Sequence, residues 1–125
     1  MGNFRCKHEY LQYFLHALIF LRGDWIGPDY RVAYAMSNSP FGPFERVATI
    51  LEQDSQIATG AGHHSVINTP GTDRYYIVYH RRPLGETGRD TRVTCVDEMN
   101  FNPDGTILQV VMTLNGVIGG AIENI

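Results

Sequence analysis

From Asp29 onward the chain is built of short runs in which apolar and polar positions alternate, broken by glycine, proline and asparagine. No stretch sustains the periodicity of an amphipathic helix. Tyr30, Val32, Tyr34 and Met36 alternate with Arg31, Ala33 and Ala35, which predicts a strand with one larger-residue face. The turn SNSPFGPF follows, and its Pro40, Gly42 and Pro43 forbid continuation as a helix or a central strand. Phe44 to Leu51 then reads as the partner strand of a hairpin. His63 to Asn68, Tyr75 to His80, Arg92 to Met99 and Thr106 to Met112 are four further predicted strands. They are joined by TPGTD, by RRPLGETGRD and by NPDG, so they describe one antiparallel sheet beside the hairpin. The expected fold class is all-β, and the pattern alone suits propeller blades, a sandwich or a barrel.

The remaining apolar run, Leu11 to Leu21, is about half the length that spans a bilayer and carries His16. It predicts no transmembrane helix, and the first residues lack the order of a secretory signal, leaving localisation open. A chain of 125 residues is one ordinary domain. Its net charge of -3 offers no basic face, so nucleic acid is not an expected partner. Lys7 is the single lysine beside nine arginines, a usage that suits planar recognition of hydroxyls or carboxylates. Cys6 and Cys95 stand far apart without zinc-ligand spacing, and Cys95 reads as a small buried side chain.

The stretch GAGHHSVIN places His63 and His64 side by side behind Gly60 and Gly62. Neighbouring residues on a regular strand point to opposite faces, so the two imidazoles do not easily share one ion. Taken by itself, each is most simply a histidine hydrogen-bonded to a backbone carbonyl.

Three blocks, DWIGPDYRVAYAMSNSPFGPF, GAGHHSVINTPGTDRYYIVYHRR and GRDTRVTCVDEMNFNPDGTILQVVMT, in this order and spacing, resemble the C-terminal part of a glycoside hydrolase family 43 enzyme. The resemblance covers roughly residues 24 to 118. It implies antiparallel β-propeller blades, about the last two of a five-bladed propeller, over residues 24–125, preceded by an atypical segment, 1–23. That segment has the look of a shifted reading frame or a misplaced start. It also implies hydrolysis of α-L-arabinofuranosides or β-D-xylosides in plant polysaccharide, with an oligosaccharide or polysaccharide as partner and no membrane. His63 matches the axial histidine that in many members helps hold a calcium ion or its water shell, so calcium is the implied cofactor. Arg89 matches the arginine of a Gly-Arg-Glu-Thr-like loop that reaches the sugar or a catalytic carboxylate, with Asp90 where Glu is common. Arg81, Arg82 and Arg92 compete for that role. Trp25, in a Gly-flanked loop, is the expected sugar-stacking aromatic, Tyr30 and Phe41 are expected to pack inside the blades, and His80 is a weaker axial candidate.

Family 43 enzymes invert configuration with a general-base Asp, a pKa-tuning Asp and a general-acid Glu. The resemblance places the two Asp-bearing segments upstream of this chain, and Glu9 lacks the Gly-Pro context of the acid, so no catalytic residue is assigned. Asp24, Asp29, Asp54, Asp73 and Asp97 read as turn or strand-end residues. The chain alone is therefore expected to be inactive and to depend on the missing N-terminal blades. Two rivals remain: a non-catalytic carbohydrate-binding β module and a structural fragment without a ligand.

Overall fold

The computed structural model describes residues 16–119. Cys6 and Glu9 lie outside the described residues. Six strands form two three-stranded antiparallel sheets: β1 (His16–Arg22), β2 (Arg31–Ser37) and β3 (Glu45–Leu51) in one, β4 (Ala58–Asn68), β5 (Tyr75–Pro83) and β6 (Val93–Met99) in the other. Both sheets follow chain order, so every link is a local turn. No helix among the described residues is long and apolar enough to cross a membrane.

The predicted hairpin is β2–β3, and β2 is the buried centre of its sheet. Val32, Tyr34 and Met36 enter the common core, while Ala33 and Ala35 are small enough to be covered as well. β1 falls inside the segment 1–23 set apart above. It pairs with β2 without interruption from His16 opposite Ser37 to Arg22 opposite Arg31, and Ile19 and Leu21 pack against the core.

Between the sheets, Val32, Tyr34, Ile50 and Leu51 meet Ala58, Ala61, Ile77, Tyr79 and Met99, all with 2 % exposure or less. Burial of this apolar surface is the main cohesive term. Thr106 to Met112 is not a strand. Ile107 and Val110 turn their backbone N–H groups to the first sheet, donating to Tyr34 Oη at 3.1 Å and to the Ile50 carbonyl at 2.7 Å. Three residues on, Thr113 bonds to the second sheet, so the segment divides its hydrogen bonds between the sheets and joins neither ladder.

That second attachment is a buried polar network. Asp97, expected at a turn or strand end, lies within β6 at 1 % exposure. It accepts a hydrogen bond from Tyr79 Oη at 2.6 Å and another from Thr113 Oγ1. Arg81 Nη1 donates to the Thr113 carbonyl at 2.6 Å and to Tyr79 Oη at 3.3 Å. Burial and the Asp97 carboxylate push the Tyr79 phenol upward, so it stays protonated as a donor. Phe41 departs from expectation: it stands 95 % exposed at the tip of the β2–β3 turn, where no sheet reaches it.

Candidate functional site

The site forms where β4 departs from regular pairing. Thr59 faces Arg82, Gly62 faces His80 and Ser65 faces Val78, so each step advances three residues on β4 for two on β5. Two bulges in succession re-aim the side chains of Gly60–His64. His63 sits in the second with φ of +40°, a conformation rare for a residue with a Cβ. The sequence carries that signal as glycines at 60 and 62. A Cβ at Gly62 would lie 2.3 Å from Tyr30 Cε1, so only glycine lets the Tyr30 ring lie on this backbone.

Tyr30, His63 and His80 make a cluster of rings. Tyr30 stacks on His80 at 5.9 Å between centroids, His63 and His80 are 5.3 Å apart, and Tyr30 and His63 are 6.2 Å apart. Tyr30 is buried and His63 is exposed, so the cluster runs from the core out to the surface, and its outer end is here called the mouth. Beside it, the Arg92 guanidinium lies 5.6 Å from the centre of the Trp25 ring, which keeps 40 % of its surface exposed. Arg92 also acts on the cluster through its field, since it opposes protonation of His80 and favours ionisation of Tyr30. Burial, then Arg92, His63 and Arg82, hold His80 down to about 4, so at neutral pH it is an uncharged imidazole. Burial and the adjacent His63 lower His64 as well. Burial raises the Tyr30 phenol, which remains protonated.

The structure thus brings Trp25 and His63 into one region and adds Tyr30, His80 and Arg92. Arg89 is not among the side chains that meet there. It is exposed in the β5–β6 loop, with its guanidinium 3.3 Å from the adjoining Asp90 carboxylate. Arg92 enters the region because it immediately precedes β6, a position its sequence spacing from Arg89 did not reveal. Arg81 and Arg82 are both buried, the first in the Asp97 network and the second under the Trp25 loop.

A calcium ion takes a shell of oxygen ligands. Around His63 the ring neighbours are Tyr30 and His80, and no group of three or more His, Cys, Asp or Glu side chains among the described residues is placed to hold a metal. The residues present do not fit a calcium site. What they do offer is a polar, ring-lined mouth: uncharged imidazole, phenol, guanidinium and an open indole, the groups that bind the hydroxyls and apolar faces of small polar ligands.

Two small antiparallel sheets packed face to face suit neighbouring blades of a β-propeller as they do a sandwich, and likeness to known proteins separates the two. The glycosyl hydrolases family 43 model matches residues 5–107, beginning inside the segment 1–23, and the chain belongs to that family. The Beta-D-galactofuranosidase xynD of Aspergillus niger is 42% identical over 123 residues, 98% of this chain and 35% of that protein. The chain therefore spans about a third of the length of the curated relative it matches. A solved glycoside hydrolase superposes with a TM-score of 0.72 at 34% identity, over 87% of this chain and 24% of that one. An α-L-arabinofuranosidase from Clostridium thermocellum superposes with a TM-score of 0.55 at 31% identity, over 78% of this chain and 33% of that one. An arabinoxylan arabinofuranohydrolase from Bacillus subtilis, solved with cellotetraose, is like this chain in fold: 24% identity, TM-score 0.62, over 82% of this chain and 23% of that one. The family fold is the five-bladed β-propeller, and the two sheets are blades of it.

Proposed function

We propose that the chain forms one wall of the sugar pocket of a family 43 glycosidase that cleaves furanosides, α-L-arabinofuranosides of plant polysaccharide or β-D-galactofuranosides, with β-D-xylosides as the alternative. The observation that carries this reading is the cluster of Tyr30, His63 and His80 beside the β4 bulges, with Arg92 acting on it through its field and lying over the Trp25 ring. The two furanosides share ring stereochemistry, and the relatives named for them match this chain at 42% and 31% identity.

In this reading the indole packs on the apolar face of a sugar ring while Arg92 donates to its hydroxyls. Arg89, carried by the exposed loop, is the second cation within reach of a longer substrate. His80 stays neutral, so it donates and accepts at once, which suits a hydroxyl. Inverting hydrolysis needs two carboxyl groups about 6.5–9.5 Å apart with a water between them. In this reading the acid and the base come from other parts of the enzyme, and the chain alone is expected not to turn over.

The test is hydrolysis of 4-nitrophenyl α-L-arabinofuranoside, β-D-galactofuranoside and β-D-xyloside by the chain and by a chimera in which it replaces the matching part of the fungal relative. Activity in the chimera alone is the expected result. Turnover by the chain itself would overturn the division of labour, and Glu9 would be the first residue to mutate. Sugar binding by the isolated chain together with an inactive chimera would favour a non-catalytic binding module.

A further inference from the structure

Trp25 belongs to the loop between β1 and β2, in the first sheet, yet its backbone is held by the second. The loop is a tight turn in its own right: Gly27 N–H donates to the Asp24 carbonyl at 2.8 Å, and Ile26 N–H donates to Asp24 Oδ1 at 3.0 Å. From β4, Gly60 N–H donates to the Pro28 carbonyl at 2.9 Å. From β5, Arg82 sends Nη2 into a cup of three carbonyls, donating to Ile26 O and standing 3.3 Å from Trp25 O and 3.5 Å from Gly27 O. Arg82 is 3 % exposed. A buried guanidinium needs compensation, and here three backbone dipoles surround Nη2, while the buried Nε has no hydrogen-bond partner. Gly60 completes the fit. Its φ is +60°, and a Cβ there would lie 3.3 Å from Gly27 O and 3.4 Å from the Arg82 guanidinium, crowding the cup.

We infer that Arg82 is a positioning residue that clamps the Trp25–Gly27 backbone to β5 and so fixes the indole beside Arg92 as one half of the sugar platform. Its place in the platform rests on the proposed sugar pocket; the clamp itself does not. Arg81, the adjacent arginine, separates the two roles a buried cation can have. It is equally enclosed, but it bonds to Tyr79 and Thr113 and never meets the Trp25 loop.

Trp25 is the chain's one tryptophan, so its fluorescence reports the loop without any ligand. Three forms of the full chain are compared, unmodified, Arg82→Lys and Arg81→Lys, by emission maximum, acrylamide quenching and far-ultraviolet circular dichroism. A lysine keeps the charge, but its stem ends one atom short of Nη2, the nitrogen that meets all three carbonyls. Arg82→Lys is expected to shift emission to the red and increase quenching with the β-signal retained, while Arg81→Lys lowers the melting temperature and leaves the emission unchanged. Unchanged emission and quenching in folded Arg82→Lys would overturn the clamp. Should that variant not fold, nitrogen-15 arginine spectra of the unmodified chain decide. Slowly exchanging Nη protons on Arg82 with contacts to the Trp25–Gly27 backbone support the clamp, and fast-averaged ones overturn it. Steady-state kinetics of Trp25→Ala in the chimera on the arabinofuranoside then tests the sugar reading separately: an unchanged kcat/KM removes the platform and leaves the clamp standing.

Discussion

His80 lies against two rings and within the field of Arg92, Arg82 and His63, so the folded chain resists adding a proton to it. The unfolded chain does not, because a free imidazole titrates near about 6.5. Between that value and about 4 the unfolded state therefore binds more protons than the folded state, and stability falls as pH is lowered through this window. His64, also lowered, adds in the same sense. Melting curves between pH 7 and pH 4 are expected to show this decline, with a shallower slope in His80→Gln; an identical slope in the variant would remove His80 as its source. The two arginines near the mouth separate just as sharply. Removing a hydrogen bond to a charged group is worth about 1.5–3 kcal/mol, so in the chimera Arg92→Ala should lower kcat/KM by about ten- to a hundredfold. Arg89, exposed beside Asp90, is expected to change it far less, and steady-state kinetics on the arabinofuranoside compares them directly.

Strands were legible wherever alternation was regular. The β2–β3 hairpin and β5 with β6 follow the predicted runs to within a few residues, since one buried face imposes the period of two on the sequence. β4 begins at Ala58, earlier than predicted, because its two bulges break the alternation that would have announced it. The apolar run of β1 has no alternation either, and its pairing with β2 is visible only in three dimensions. The 106–112 segment misled for the opposite reason: ILQVVM has strand-like side chains, but Ile107 and Val110 donate to the first sheet while Leu108 donates to Asn100, just past β6, and Thr113 bonds to Asp97. Its anchor is Asp97, whose two oxygens hold Thr113 and Tyr79 next to the Arg81 cation. Taking away the anion of such a buried set typically destabilises by about 3–5 kcal/mol. Asp97→Ala is therefore expected to lower the melting temperature severely and to expose the 107–113 backbone to hydrogen exchange before β2 and β5 open, whereas simultaneous loss of protection everywhere would show that the segment is no separate unit.

At the scale of the molecule, each sheet has three strands and two edges, with β1 and β3 bounding the first and β4 and β6 the second. In a closed propeller such blades are covered on both sides by neighbours. Here Ile118 is 99% exposed, Val111 77% and Leu114 72%, all in the segment that follows β6. Apolar side chains of this size beside an unpaired strand edge are a template for association. The chain is therefore expected to self-associate in a concentration-dependent way, seen by sedimentation velocity as a shift from monomer to larger species. Leu114→Lys with Ile118→Glu places two charges on that surface without touching the core or the mouth, and should return the chain to monomer while leaving the Trp25 emission unchanged. Association that survives this double change would move the sticky surface to the β1 side, where Leu18 is 48% exposed on the opposite edge. A chain monomeric at every concentration would show that these edges do not drive association. In the chimera the same two charges test whether the surface is an inner face of the assembled propeller: if it is, they lower the yield of folded enzyme, since burying an unpaired charge between blades is far more costly than burying leucine or isoleucine.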